Sequence, residues 1–325
     1  MPRFDVTIAG ELNLDLILYG LPEQLPPERE LLADRMMLTL GSSSAIVAHN
    51  LAALGSRVGF QSRIGDDPLG QIALDRLQEG GVDVSLVRRV PGSTTTGLTV
   101  ILHHAAWRNI LTYPGTIAET SWEDLDLDYL ADSRHFHFSS YYLQRGLRTR
   151  VGELFQYLKS KGLTISLDTN DDPDDRWEGG LTEVLRHVDV FLPNEREACK
   201  AAGTDDLEIA ARKLSDLVPL VVVKLGPKGS MAQRGSEGLS VHHRKLPLST
   251  RSAPATASTP ASCMSTFADL LCPSASRAEI VQVHSRPRAP AAQKPFATSD
   301  IAKNFSGIVV SERNRNVKSA TPQPC

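Results

Sequence analysis

The sequence predicts an α/β protein in which a doubly wound, mainly parallel β-sheet is flanked by helices and joined by a smaller β-sheet. Short apolar runs alternate with segments of helical periodicity between residues 5 and 225, a pattern typical of parallel sheets covered on both faces. Other segments alternate polar and apolar residues, as strands with one solvated face do. With 325 residues, the chain has the length of one large domain or two modest ones.

The predicted elements alternate in order along the chain. A first strand ends before Gly10, the next helix ends at Gly55, and a later helix begins at Pro68, since glycine stops helices and proline is tolerated in their first turn. The predicted strands of the main sheet are 5–9, 58–62, 135–139, 164–167, 188–192 and 220–225. The predicted helices are 44–54, 68–78, 148–159, 181–185, 195–202 and 207–217. The smaller sheet is predicted from residues 16–19, 32–40 and 96–102.

Composition argues against several function classes. Hydrophobic residues make up 41% and charged residues 22% of the chain, and no apolar run approaches the ~20 residues of a spanning helix. A net charge of −3 gives no reason to expect nucleic acid. The N-terminal segment lacks the apolar stretch of a signal peptide, and the cysteines show no metal-type spacing. We therefore expect a cytoplasmic protein with neither a nucleic acid nor a membrane partner.

The composition changes abruptly after Leu248. Residues 1–248 carry a net charge of −8 and residues 249–325 a net charge of +5, and Gly307 is the only one of 23 glycines beyond Leu248. Residues 249–262 read STRSAPATASTPAS, which has neither helical nor strand periodicity. Such a composition is typical of a disordered tail.

Polar side chains follow the carboxyl ends of the predicted strands, where open parallel sheets bind their ligands. Carboxylates, amides, a lysine and glycines come together at this edge, and such a set suits a polyhydroxylated ligand with a phosphate donor and its metal. The segments are 10–15, 168–170, 193–197 and 224–229.

In this order, the segments resemble the ribokinase/PfkB family of carbohydrate and nucleoside kinases over about residues 4–245. Each segment alone is weakly specific, but five in register are a strong match. They are GELNLD at 10–15, LGSSSA at 40–45 with the following segment 48–55, RIGDDPLG at 63–70, PNERE at 193–197 and VKLGPKG at 223–229.

The resemblance implies a ribokinase-like domain at 1–248 with lid strands near 12–20, 31–41 and 96–113. The implied substrate-binding residues are Asp15, Gly41, Ser42 and Asn170. The implied nucleotide and phosphate residues are Asn194, Glu197, Lys224, Gly226 and Gly229, with Glu197 also organising magnesium through water. The implied cofactors are ATP and Mg²⁺. The implied hinge at Gly41 departs from the common family pattern, because Ser42 follows Gly41 and Ile46 stands where an asparagine is usual. The identity of the sugar is therefore left open.

The residues themselves leave other interpretations open. Asp15 suits a turn, Asn194 with Glu197 suits a helix cap, and Lys224 suits a strand end that reaches solvent. Gly226 and Gly229 suit a hairpin turn. The histidine pairs at 103–104 and 242–243 and the acidic run 171–175 suit solvated positions rather than metal sites.

The family's Gly-Ala-Gly-Asp motif is absent. Its amides hold the transferring phosphate and its aspartate takes the proton from the attacking hydroxyl. When the degenerate codons of 249–262 are read one base back, they allow VDAVGAGDSFDAGF, and 291–296 allow GGTEAF. We therefore interpret 249–325 as an out-of-frame tail, in which Thr256 stands where the aspartate is expected and no catalytic residue remains.

The function expected is ATP-dependent phosphoryl transfer to a hydroxyl of a sugar or nucleoside, with weak turnover because the motif is missing. The alternatives are a catalytically inactive sugar- or nucleotide-binding protein and the nonfunctional product of a frameshifted gene. A homodimer formed through the lid, whose edge strands are open, is a further expectation.

Overall fold

The structure is a computed structural model that describes residues 1–92, 94–104 and 107–241. Its main sheet has nine strands in the order β13-β12-β11-β10-β9-β8-β1-β4-β5. Neighbouring strands from β11 to β5 run parallel, and the edge strands β12 and β13 are antiparallel. The strands are β1 Phe4–Ala9, β4 Val58–Gly65, β5 Asp83–Val90, β8 Ser133–Ser139, β9 Thr164–Asp168, β10 Val190–Phe191, β11 Leu220–Lys224, β12 Ser230–Arg234 and β13 Glu237–Val241.

Helices lie on both faces of this sheet, as the alternating pattern predicts. On one face, the Phe155 ring of α5 contacts Phe136 and Phe138 of β8 at centroid distances of 6.0 and 5.9 Å. On the other face, Ser44 of α1 reaches Ser139 at the end of β8. The helices are α1 Ser43–Ala53, α2 Pro68–Glu79, α3 Leu127–Ala131, α4 Arg145–Arg148, α5 Val151–Ser160, α6 Leu181–Leu185, α7 Glu195–Ala202 and α8 Leu207–Ser215.

The second sheet, called the small sheet here, has four strands in the order β3-β2-β6-β7. Its strands are β2 Asn13–Tyr19, β3 Arg35–Leu40, β6 Gly97–His103 and β7 Arg108–Tyr113. The predicted fold class, a mainly parallel sheet flanked by helices with a small β-sheet beside it, is confirmed.

Asp67 joins the small sheet to the main one. Its side chain caps α2 by accepting a hydrogen bond from the Gly70 amide at 2.9 Å. The same carboxylate accepts the Thr96 amide at 2.7 Å, just before β6 begins. A Cβ on Gly65 would collide with this carboxylate. The RIGDDPLG segment therefore has a structural role at the junction of the two sheets.

Several predicted elements differ from the observed ones. Strands β5, β12 and β13 were not predicted. They are polar and lie at or near the sheet edges, where no continuous apolar run is needed. The predicted strand 188–192 shortens to two residues held between β9 and β11. The predicted helix 148–159 begins instead at Val151, because residues 145–148 form a separate turn of helix.

The predicted tail 249–325, including Thr256 and the boundary at 248, lies outside the described residues. Within the described residues, no helix is both long and apolar enough to cross a membrane.

Candidate active site

A buried carboxylate organises one end of the main sheet's carboxyl edge. Glu11, which is 2% exposed, follows β1 at the N-terminus of α1. It accepts hydrogen bonds from the Ser44 hydroxyl at 2.6 Å, the Ser44 amide at 3.2 Å and the Ser140 hydroxyl at 2.6 Å. The helix N-terminus favours the negative charge. Glu11 thus connects the β1–β2 loop, α1 and the end of β8 without an ion pair in the described part of the chain.

Asn170, a predicted substrate residue, belongs to this network. Its side-chain amide donates to the hydroxyls of Ser43 and Ser140, both at 2.6 Å. Asn170, Ser140 and Ser42 have φ values of 52°, 55° and 68°, in a region that costs roughly 1–3 kcal/mol for a side-chain-bearing residue. The hydrogen bonds hold these three segments in strained conformations at the predicted sugar contact.

Asp15 and Gly41, two further predicted substrate residues, are directly adjacent. Asp15 lies in β2 and pairs across the strands with Thr39, so its interpretation as a turn residue is wrong. A Cβ at position 41 would collide with the Asp15 carboxylate. Burial raises the pKa of Asp15 to about 7, although the Arg108 guanidinium opposes this rise. Asp15 makes no hydrogen bond within the described ranges, so its oxygens are available to donors from a ligand.

Ser42, the fourth predicted substrate residue, caps α1. Its hydroxyl accepts the Ala45 amide at 3.0 Å and donates to the Glu11 carbonyl. The structure therefore brings Ser42 and Asn170 together around Glu11, and Asp15 lies against the neighbouring Gly41.

Lys224 lies at the other end of this edge, buried rather than solvated. It is 8% exposed, and its Nζ donates to the Asp168 carboxylate at 2.6 Å. The interpretation of Lys224 as a strand-end side chain in solvent is therefore wrong. Asp168 is two residues from Asn170, so the Asp168–Lys224 pair lies next to the Glu11 network in the chain.

Asn194 and Glu197 form the predicted helix cap at the start of α7. The Glu197 carboxylate accepts the Asn194 backbone amide at 2.7 Å, and the Asn194 side chain accepts the Glu197 amide at 2.9 Å. Glu197 is 4% exposed. Its burial and the nearby Asp168 carboxylate raise its pKa, while the Lys224 ammonium lowers it.

Gly226 and Gly229 lie in the turn between β11 and β12, as the hairpin interpretation predicts. Both have positive φ values, of 56° and 106°, which glycine adopts readily. The Leu225 amide donates to the Gly229 carbonyl at 2.9 Å and closes the turn.

The chemistry at this end fits a hydrated magnesium ion. The nearby Asp168 carboxylate raises the pKa of Glu197, and a cation would relieve that repulsion. Magnesium binds through one or two carboxylates, waters and phosphates rather than an all-protein cage. Among the described residues, no group of three or more His, Cys, Asp or Glu side chains could hold a metal ion by itself.

Two predicted solvated positions turn out to be structural. His104 is 1% exposed, and its ring nitrogens contact the Pro22 carbonyl at 2.6 Å and Asn109 at 3.1 Å. Asp172 is 6% exposed and accepts the amides of Arg176 and Trp177 at 2.9 and 2.7 Å. The solvated interpretation is therefore wrong for these two residues, whose buried side chains satisfy hydrogen-bonding groups. Asp171, Asp174 and Asp175 are exposed, as predicted.

Glu11 and Asp168 are the site residues to which sequence reasoning gave no role. Both lie within motif segments that the sequence analysis quoted. The signal that could have found them is their position at a strand end, since both follow or end a buried strand.

Replacing Asp15 with asparagine should stabilise the protein in a pH-dependent way. The folded-state pKa of Asp15 lies above its unfolded value, so ionisation destabilises the fold progressively from about pH 4 to above pH 7. Asp15→Asn should therefore gain on the order of 1–3 kcal/mol, a few degrees in Tm, at pH 8, and little at pH 4. Thermal unfolding across this range measures it, with exposed Asp216→Asn as control. An equal gain at both pH values would contradict the assignment.

Replacing Glu11 with glutamine should destabilise the fold, because an amide group would face serine donors. We expect a loss of roughly 2–4 kcal/mol for Glu11→Gln. Ser139→Ala removes one neutral hydroxyl contact of the same network and should cost about 1 kcal/mol. Denaturant unfolding compares the two. If Glu11→Gln is as stable as the unsubstituted protein, Glu11 does not hold the network together.

Comparison with known proteins agrees with this geometry. The family model of the pfkB family carbohydrate kinases matches residues 3–250. The chain is 27% identical over 244 residues to an ATP-dependent 6-phosphofructokinase of Thermoanaerobacterium thermosaccharolyticum, covering 72% of this chain and 73% of that protein. It is 29% identical over 235 residues to a deoxyribokinase of Salmonella typhi, covering 70% and 74%.

Solved structures share the fold. A putative ribokinase II from E. coli in complex with ATP and Mg²⁺ has a TM-score of 0.68 at 21% identity, covering 89% of this chain and 95% of that chain. The ribokinase of Arabidopsis thaliana complexed with ribose and ATP has a TM-score of 0.65 at 21% identity, covering 86% and 89%. With the family model matching more than half of its length, the chain belongs to the pfkB family of carbohydrate kinases.

Proposed function

We propose that this ATP-dependent sugar kinase of the pfkB family binds a sugar or related small molecule at Asp15, Gly41, Ser42 and Asn170. ATP with magnesium would bind beside Asn194, Glu197, Lys224 and the turn at Gly226 and Gly229. The reaction is phosphoryl transfer from ATP to an acceptor hydroxyl. The printed names of the relatives, a phosphofructokinase and a deoxyribokinase, differ in the acceptor, so they do not select one.

The observation that carries this proposal is the state of Asp15. A half-buried carboxylate without hydrogen-bond donors is costly, and the collision that a Cβ at position 41 would cause shows how closely the hinge backbone approaches it. Hydroxyl groups of a sugar are the donors that would satisfy it. The Asn170 amide lies at the same edge, so two chemically different groups would orient the acceptor.

The other end of the site suits phosphate. Magnesium, when bound, neutralises charge on the transferring phosphoryl group. Glu197 would hold its hydrating waters, and Lys224, already paired with Asp168, keeps a positive charge beside it. Movement of the small sheet toward the main sheet would exclude water from the acceptor.

Turnover by this chain should be weak. Thr256, outside the described residues, stands where the family aspartate is expected and has no carboxylate at neutral pH. A general base contributes ~10²–10⁴-fold. The missing motif favours a second candidate, an inactive sugar- or nucleotide-binding protein, and a nonfunctional product of a frameshifted gene is a third.

Titration calorimetry of the full chain, followed by a turnover assay on the same sample, tests the proposal. We expect sugar binding to weaken at least ~10-fold in Asp15→Asn with ATP·Mg binding unchanged, because only the sugar loses its carboxylate. Glu197→Gln should do the reverse. Binding without turnover would support the inactive binding protein. Turnover at rates usual for kinases would contradict the predicted loss, and binding of neither ligand would reject the sugar-kinase assignment.

We also propose that two copies associate through the small sheet. One face of that sheet, here called the outer face, carries Leu16, Val100 and Leu111 in one cross-strand row. Leu111 is 53% exposed, and apolar surface of this kind is typical of association sites.

A charge placed on the outer face should prevent this association. Leu111→Lys should shift the protein toward monomer in analytical ultracentrifugation, because lysine would enter an apolar contact. Ile110→Lys is a matched control, since Ile110 is 55% exposed but points to the opposite face of the same strand. If both variants associate like the unsubstituted chain, the outer face is not the interface.

A further inference from the structure

The face of the small sheet opposite the outer face, here called the inner face, carries Asp15. Residues directly across neighbouring strands share a face, and so do residues two apart on one strand. A polar row on the inner face is therefore formed by Thr39, Asp15, Thr99 and Thr112.

A row at the far end of the same face is cationic and aromatic. By the same register it consists of Arg35, Tyr19, His103 and Arg108. The Arg35 guanidinium lies over the Tyr19 ring at 4.1 Å from its centroid. The Tyr19 and His103 rings lie 5.2 Å apart. Arg35 and Tyr19 are thus engaged with each other, which leaves Arg108 at the other end of the row.

Arg108 carries a positive charge that no described carboxylate neutralises through an ion pair. Within residues 1–92, 94–104 and 107–241 its guanidinium forms no ion pair or hydrogen bond. Other arginines do pair with a carboxylate, such as Arg63 and Arg88 with Asp124. It is close enough to Asp15 to oppose the rise in that group's pKa. The two opposite charges share a face but do not pair with each other.

The separation of Asp15 and Arg108 suits one ligand between them. Arg108 is four residues along β7 from Thr112, which lies in the Asp15 row, so the two rows are roughly 13 Å apart along the strands. Because β6 lies between β2 and β7, Asp15 and Arg108 are also offset by roughly 10 Å across the strands. A six-carbon sugar chain with a terminal substituent spans the gap once both side chains extend toward it. The Asp15 carboxylate can accept hydrogen bonds from the hydroxyl groups of such a ligand. A guanidinium binds an anionic group through two parallel hydrogen bonds.

We propose that the acceptor is a sugar that carries an anionic group, bound with its hydroxyls on Asp15 and its carboxylate or phosphate on Arg108. This inference rests on the proposed sugar-binding function and narrows the substrate class to sugar acids and sugar phosphates. The chemistry that both share is a terminal anion at the end of the sugar remote from Asp15.

Titration calorimetry of the full chain with matched probes tests the inference. D-Fructose 6-phosphate is compared with D-fructose, and D-gluconate with D-glucitol, so each pair differs in its anionic group. We expect at least one anionic probe to bind about 10-fold or more tightly than its neutral match, in line with a hydrogen bond to a charged group. The preference should shrink in high salt because screening weakens the contact.

Arg108→Gln should abolish the preference for the anionic member of each pair. Arg186→Gln is the matched control, since Arg186 is an exposed arginine at the end of α6, away from the small sheet. A gain confined to the phosphate pair identifies a sugar phosphate, and a gain confined to the gluconate pair identifies a sugar acid.

Two outcomes overturn the inference in distinguishable ways. Neutral probes that bind as tightly as anionic ones, or a preference that survives in Arg108→Gln, reject the anionic acceptor and leave the sugar site intact. If no probe of either charge binds, while circular dichroism shows folded protein, the sugar-binding function itself fails and the inference falls with it.

Discussion

The buried carboxylate of Glu11 is the constraint on which the acceptor end of the site depends. It has no counter-ion among the described residues, so its charge is balanced by hydroxyls, a backbone amide and the N-terminus of α1. Hydrogen bonds to a charged group are stronger than neutral ones, and a buried charge deprived of its donors is costly. Segments that contribute donors must therefore stay in place, including Ser140 in its strained conformation.

This constraint separates two tasks along one edge of the main sheet. The hydroxyl-rich network around Glu11 holds neutral hydrogen-bonding groups where the proposed acceptor would bind. The Asp168–Lys224 pair and the Glu197 cap concentrate charge where phosphate and magnesium would bind. Asp168 and Asn170 are separated by two peptide units at the end of β9, so both ends of the candidate site share one strand end. The small sheet is connected to the main sheet by the hydrogen bond that the Thr96 amide donates to Asp67, and the chain passes from β3 to α1 at Gly41.

The sequence alone was sufficient for the fold class and for choosing the segments in which the candidate site residues lie. Strand–helix alternation identifies a parallel sheet, and the carboxyl ends of its strands then select the segments that carry Asp15, Asn170, Asn194 and Lys224. It was insufficient for side-chain pairing, which depends on neighbours distant in sequence. Lys224 resembles any lysine at a strand end until Asp168, 56 residues away in the chain, is placed beside it. Strand β5 was missed because an exposed edge strand with arginines lacks an apolar run.

We propose that the first three quarters of the chain retain a working acceptor site, whereas the phosphoryl-transfer centre has been lost through a one-base shift near residue 248. The most direct measurement compares phosphoryl transfer by this chain with transfer by a chain whose coding frame is shifted back by one base from codon 249 onward. The account predicts similar acceptor affinity in both proteins and a gain in turnover of at least ~10²-fold after the shift. Equal turnover in the two proteins, or a shifted frame interrupted by stop codons, would contradict it.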